Sequence, residues 1–207
     1  MPGLRVKVCG VMTAADAEAC VEAGVDLIGL NFVAGSPRRI DPERAAAIAE
    51  AVRGRVELVG VVADQAAAAL HALRDRVGLD RLQLHGDEPP DLVEALAPVA
   101  FKAVRVGSPA DVEHARRYPG LLLIDARVAG KLGGTGVCVD PAWVSALASE
   151  RPVLLAGGLT PDNVGDMVRR VRPWGVDVAS GVETTPGVKD RARVAAFVAA
   201  ARRAVSP

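Results

Sequence analysis

Residues 153–181 read VLLAGGLTPDNVGDMVRRVRPWGVDVASG. A four-residue aliphatic run is followed by a Gly-Gly pair, then Thr-Pro, an amphipathic stretch, a second short apolar run and Ser-Gly. Runs this short, bounded by turn residues, read as buried strands, and the longer segment between them carries helical spacing. The stretch is therefore one strand–helix–strand unit, with glycine-rich loops after both strands.

The same unit recurs in both directions. Strand-like runs fall at 4–9, 27–32, 56–62, 81–84, 100–104, 121–125, 153–156 and 175–178, and helical patterns at 13–23, 42–52, 65–76, 90–97, 110–118, 141–149, 161–170 and 191–203. Thr13, Asp41 before Pro42, Thr160 before Pro161 and Asp190 stand where helix-capping residues are expected. Eight successive βα units favour an α/β fold of one closed parallel barrel, a single (β/α)8 TIM barrel over residues 1–207. A doubly wound open sheet reads similarly until the strands are counted.

Composition narrows the function. Half of the 207 residues are hydrophobic, enough for one full core, and no linker or low-complexity tract suggests a second domain. Lys plus Arg and Asp plus Glu balance at 25 each without blocks of like charge, so nucleic acid is not an expected partner and a small molecule is. With no signal-like apolar run after Met1 and no run long enough to span a bilayer, a cytoplasmic protein without a membrane role is expected. Three well-separated cysteines, Cys9, Cys20 and Cys138, argue against a disulfide framework and a Cys-x-x-Cys metal site.

In a barrel the chemistry sits at the C-terminal strand ends. Cys9 ends the first strand beside Gly10, which is expected to leave room around the sulfur, and it shares a strand face with Lys7, whose ammonium would ease thiol ionisation for a general base. A small buried core cysteine is the competing reading. Asp125 closes Leu-Leu-Leu-Ile-Asp125, where burial would favour a protonated general acid; a loop-capping carboxylate is the alternative. Gly157-Gly158 and Ser180-Gly181 follow the seventh and eighth strands, where backbone amides of many barrels cradle phosphate. Arg38, in a loop after the second strand, suits bidentate capture of a carboxylate, although a loop arginine is ordinarily a solubilising charge. Asp177, expensive inside a strand unless paired, is expected to meet Lys7 in the barrel. His85 ends the fourth strand, and His71 and His114 show no metal-ligand spacing with it; Cys20 and Cys138 read as structural. Gly133-Gly-Thr-Gly136 reads as either a lid or a plain turn.

Taken in order, Lys7-Val-Cys-Gly10, Gly29-Leu-Asn-Phe32 leading to Ser36-Pro-Arg38, Gln83-Leu-His-Gly86, Gly133-Gly-Thr-Gly136, Leu155-Ala-Gly-Gly-Leu159, Pro161-x-Asn163, Ser180-Gly-Val-Glu183 and Pro186-Gly-x-Lys-Asp190 resemble phosphoribosylanthranilate isomerase over essentially the whole chain. The resemblance implies a (β/α)8 barrel of tryptophan biosynthesis that performs an Amadori rearrangement without a metal or redox cofactor. It implies Asp125 as the acid that protonates the furanose oxygen, Cys9 as the base that takes the proton from sugar carbon two, and Arg38 as the anthranilate carboxylate contact. Phosphate would fall to Gly157, Gly158, Ser180 and Gly181. Arg39 and Asn31 depart from the residue types usual at those positions and bear on the anthranilate end of the pocket.

Two alternatives stand beside this. A related histidine-pathway aminosugar isomerase would use carboxylates at both catalytic positions, which Cys9 opposes. A non-catalytic barrel binding a phosphorylated metabolite should have lost the acid or the base. Monomer and homodimer both remain open.

Overall fold

The structure is a computed structural model that describes residues 3–125 and 141–205. Strands β1 (Arg5–Cys9), β2 (Leu27–Asn31), β3 (Glu57–Val62), β4 (Arg81–Leu84), β5 (Ala100–Arg105), β6 (Leu122–Asp125), β7 (Val153–Ala156) and β8 (Gly175–Val178) are all parallel and close into a barrel, β8 pairing back onto β1. Closure settles the choice left open by sequence between a barrel and an open sheet.

The helices α1 (Ala14–Glu22), α2 (Pro42–Val52), α3 (Ala67–Val77), α4 (Pro90–Ala95), α5 (Pro109–Arg116), α6 (Pro141–Glu150), α7 (Val164–Val171) and α8 (Arg191–Arg203) each follow a barrel strand. Alternation along the strands divides the core in two. Val6, Val8, Ile28, Leu30, Leu58 and Leu82 belong to the large cluster packed with the helices, while Leu27, Val59, Phe101, Leu123 and Leu154 form a second, smaller cluster from residues of the opposite parity. The inward set of β1 is thus Arg5, Lys7 and Cys9, which carries the thiol to the C-terminal end of the barrel. At the opposite end Arg5 and Arg81 both bond to Glu57.

Thr13, Asp41 and Asp190 cap α1, α2 and α8 by accepting backbone N–H bonds, each worth about 1 kcal/mol. The Thr160-Pro161 signal fails as a helix start. Residues 161–163 form a turn, α7 begins at Val164, and the Asn163 side chain accepts from Thr160 N (2.8 Å) and donates to the Gly158 carbonyl (3.0 Å). Asparagine thus spends its side chain on shaping the loop after β7, which moves the helix start three residues along. After β8 the chain makes a single 3-10 turn (Ser180–Val182) and a small antiparallel hairpin, β9 (Glu183–Thr185) with β10 (Val188–Lys189), features absent from the sequence reading. No helix among the described residues is long and apolar enough to cross a membrane.

Candidate active site

The C-terminal ends of the strands open into a cleft of about 400 Å³. Cys9, Arg38, Asp125, Gly157, Gly158 and Ser180 all line it, so residues drawn from the ends of five strands meet in one place. Gly181, the next residue in the chain, is not part of the lining: a Cβ there would fall 1.9 Å from the Leu159 carbonyl oxygen, so only glycine lets the loops after β7 and β8 approach so closely. Gly157 and Gly158 adopt φ of 99° and 66°, and among the described residues their N–H groups have no hydrogen-bond partner. Unpaired amides in adjacent left-handed residues are suited to an anion.

Cys9 is half-buried above a buried charge pair. The Lys7 ammonium donates to Asp177 Oδ1 at 2.9 Å, as the strand pattern anticipated, and the two residues are register partners on β1 and β8. Burial alone pulls the Lys7 pKa down, but Asp177 and Cys9, by charge and hydrogen bonding, raise it above its ordinary value. The expectation that Lys7 would leave Cys9 easily ionised is corrected. Burial pushes the thiol up, Lys7 and Lys189 pull it down, and Asp177 pushes it up again, so the net direction is upward. Lys7 has already committed its charge to a carboxylate.

The role assigned to Gly10 also changes. A Cβ at Gly10 would lie 2.4 Å from Arg38 Cδ, whereas one at Gly29 would lie 2.9 Å from Cys9 Sγ and 3.1 Å from Lys7 Nζ. Gly29, on the neighbouring strand, makes room for the sulfur, and Gly10 makes room for the arginine.

Arg38 is held from a distance of 145 residues. Its Nε and Nη2 donate to the two carboxylate oxygens of Glu183 at 2.8 and 2.6 Å, a bidentate fork. Glu183 also accepts from the Lys189 ammonium at 2.6 Å. Burial alone would push the Glu183 carboxyl up, yet Arg38 and Lys189 hold it below its ordinary value, and Glu183 in turn raises Arg38. Sequence reading named neither Glu183 nor Lys189 as a site residue; both lay in motif stretches without a role.

On the opposite wall, Gln83 Nε2 lies 3.0 Å from His85 Nδ1, and both residues line the cleft with Asp125. Desolvation pushes the His85 imidazole down and the Asp125 charge opposes it, so the site favours the ring form that can accept at Nδ1 from the Gln83 amide. Gln83 is buried, and its Oε1 has no partner among the described residues. Asn31 lines the cleft and turns its side-chain oxygen back to Val33 N at 2.8 Å, while Arg39 is exposed and outside the lining. Cys20 is buried on α1 with its thiol pushed up to about 12 by burial, in keeping with a structural role. Cys138 and Gly133–Gly136 lie outside the described residues.

A closed eight-stranded barrel with titratable groups gathered at its C-terminal mouth places the chain among the (β/α)8-barrel enzymes. Residues 6–200 match the family model described as N-(5'phosphoribosyl)anthranilate (PRA) isomerase. The chain belongs to the N-(5'-phosphoribosyl)anthranilate isomerase family. It is 47% identical to the N-(5'-phosphoribosyl)anthranilate isomerase of Myxococcus xanthus, over 96% of each chain. Among solved structures it resembles the Thermotoga maritima phosphoribosyl anthranilate isomerase at 35% identity and a TM-score of 0.88, covering 97% of this chain and 99% of that one. A second, at 33% identity, a TM-score of 0.86 and the same coverage, is a phosphoribosyl anthranilate isomerase in complex with reduced 1-(o-carboxyphenylamino)-1-deoxyribulose 5-phosphate.

Proposed function

We propose that this chain isomerises N-(5'-phosphoribosyl)anthranilate to 1-(2-carboxyphenylamino)-1-deoxyribulose 5-phosphate in tryptophan biosynthesis, with Asp125 as general acid and Cys9 as general base. The observation that carries the assignment of roles is that one cleft holds Cys9, Asp125, Arg38 and the amides of the loops after β7 and β8. A substrate with a phosphate at one end and a carboxylate at the other needs complementary groups at both ends of its pocket, and a proton donor and acceptor between them.

Asp125 protonates the furanose oxygen as the bond from carbon one to that oxygen breaks, leaving a cationic Schiff base between carbon one and the anthranilate nitrogen. Cys9 removes the proton from carbon two, and the electrons of that C–H bond flow to the nitrogen, giving a neutral enolamine. Gain of a proton at carbon one and loss of the carbon-two hydroxyl proton complete the ketose. Carbon two is oxidised as carbon one is reduced, so the substrate supplies its own electron sink.

The raised Cys9 pKa fits this order of events. In the free site the thiol keeps its proton because burial disfavours the thiolate. A cationic Schiff base formed beside it favours the thiolate: the thiol releases its own proton to solvent, and the thiolate left behind takes the carbon-two proton. Arg38 meets the anthranilate carboxylate with the donors Glu183 leaves free, and Gly157, Gly158, Ser180 and Gly181 receive the phosphate at the other end.

Substrate deuterated at sugar carbon two tests the assigned chemistry. A primary isotope effect on the chemical step, reduced to background turnover in Cys9→Ser, is expected; retention of the full rate and isotope effect in Cys9→Ser rejects the thiol as base.

A further inference from the structure

We infer that Lys189 and Glu183 set the carboxylate specificity of the Arg38 pocket: the buried Lys189 ammonium offsets the Glu183 carboxylate, so that Arg38 is held in position and still presents an uncompensated positive charge. The inference deepens the reading of Arg38 as the carboxylate contact and rests on it.

The arrangement poses an electrostatic problem. Glu183 engages Arg38 through both carboxylate oxygens, and a fork of this kind fixes a guanidinium more firmly than a single bond would. By itself it also makes a neutral pair, with an anion standing where an anionic substrate group must approach. Lys189 removes that conflict. Its ammonium bonds Glu183 Oε1 at 2.6 Å, the Cys9 carbonyl at 2.6 Å and the Ala179 carbonyl at 3.4 Å. The side chains of Lys189 and Glu183 are 1% and 4% exposed, against 21% for Arg38. Two cations and one anion leave the cluster net positive, and only Arg38 opens to the cleft.

Both buried partners come from the hairpin after β8, where Lys189 and Glu183 are register partners. Arg193 reaches Glu183 only at its backbone carbonyl, 2.8 Å away, and its guanidinium lies 3.7 Å from Asp190, so it adds little to the charge. Of the five guanidinium N–H groups of Arg38, Glu183 takes one on Nε and one on Nη2; among the described residues the other three, two on Nη1 and one on Nη2, remain for a ligand. Because Lys189 also holds the carbonyls that end β1 and begin the loop after β8, the charge that tunes Arg38 is fixed relative to the strand bearing Cys9. Lys189 and Glu183 are positioning and specificity-determining residues that act through Arg38.

Charge compensation tests this. Two competitive inhibitors are compared, the reduced product 1-(2-carboxyphenylamino)-1-deoxyribitol 5-phosphate and the same compound lacking the ring carboxylate, and the ratio of their inhibition constants measures carboxylate discrimination. In the wild-type enzyme the carboxylated compound is expected to bind at least about tenfold more tightly. Lys189→Gln, which keeps a donor for the carbonyls and removes the charge, lowers the discrimination by roughly tenfold. Glu183→Gln with Lys189→Gln restores the lone Arg38 charge, and discrimination rises above that of Lys189→Gln alone. Purely structural roles would instead leave the double variant no better than the single one, and that result overturns the inference, as does unchanged discrimination in Lys189→Gln. Absence of discrimination in the wild type overturns the Arg38 assignment itself. If Lys189→Gln does not fold, the double variant is compared with Glu183→Gln, from which it differs only at position 189: lower discrimination in the double variant supports the inference, and equal discrimination overturns it.

Discussion

Lys7 and Asp177, register partners on β1 and β8, form a 2.9 Å ion pair inside the barrel directly beneath Cys9. Both side chains are buried, at 0% and 9% exposure, so removal of one partner strands the other's charge. Lys7→Met should therefore destabilise the protein by about 3–5 kcal/mol in urea unfolding, and replacing both residues together, Lys7→Met with Asp177→Leu, should recover most of that loss. A single variant as stable as the wild type would mean that the pair is not desolvated.

The same pair governs the thiol's response to pH. Burial raises the Cys9 pKa, so alkylation of the free enzyme, corrected with Cys9→Ser as the blank, should rise with pH through a midpoint above the usual thiol range. Lys7→Met removes a cation that pulls the pKa down and should move the midpoint higher still. A midpoint below that of free cysteine contradicts the electrostatic account.

Stability should fall on both flanks of neutrality. A raised Cys9 pKa contributes stability that is present below the unfolded-state value and is lost as pH rises through the folded one. For Glu183 the folded value is depressed, so its contribution is present above the unfolded value and is lost as pH falls through the folded one. Thermal unfolding followed against pH should show the acid-side loss shrink in Glu183→Gln and the alkaline-side loss shrink in Cys9→Ser.

Gly181→Ala probes the phosphate end. The new methyl would stand 1.9 Å from the Leu159 carbonyl oxygen, so one of the two loops must move. Inhibition by inorganic phosphate should weaken by about tenfold or more, with a smaller loss of stability of about 1–3 kcal/mol from overpacking. Unaltered phosphate inhibition in a folded Gly181→Ala protein would separate these loops from phosphate binding.

Much of this architecture was legible because it is written locally. The eight strands announce themselves as short aliphatic runs bounded by turn residues, and Cys9, Asp125 and the glycine pairs sit at their ends, where the barrel rule points. The β9–β10 hairpin was not legible: strands of three and two residues around Pro186-Gly187 give no periodicity. Nor was the Glu183–Arg38 fork, because nothing in the chain ties residues 145 positions apart except the closure of the barrel itself. Thr160-Pro161 misled for a physical reason, since Asn163 hydrogen-bonds both flanks of the turn and delays the helix. The Cys9 ionisation was misjudged for a different reason: the Lys7–Asp177 pairing was legible, but the burial that dominates the thiol is set by the closed barrel and by neighbours from other strands.

The most direct test of the account is the loss of substrate fluorescence when freshly generated N-(5'-phosphoribosyl)anthranilate meets the purified wild-type, Cys9→Ser and Asp125→Asn proteins. Rapid turnover by the wild type, with kcat lowered by about 10² to 10⁴ in each variant while all three remain folded, is the predicted result. Wild-type turnover that survives either substitution at full rate would contradict the acid–base assignment, and a folded wild-type protein that leaves the substrate untouched would contradict the function.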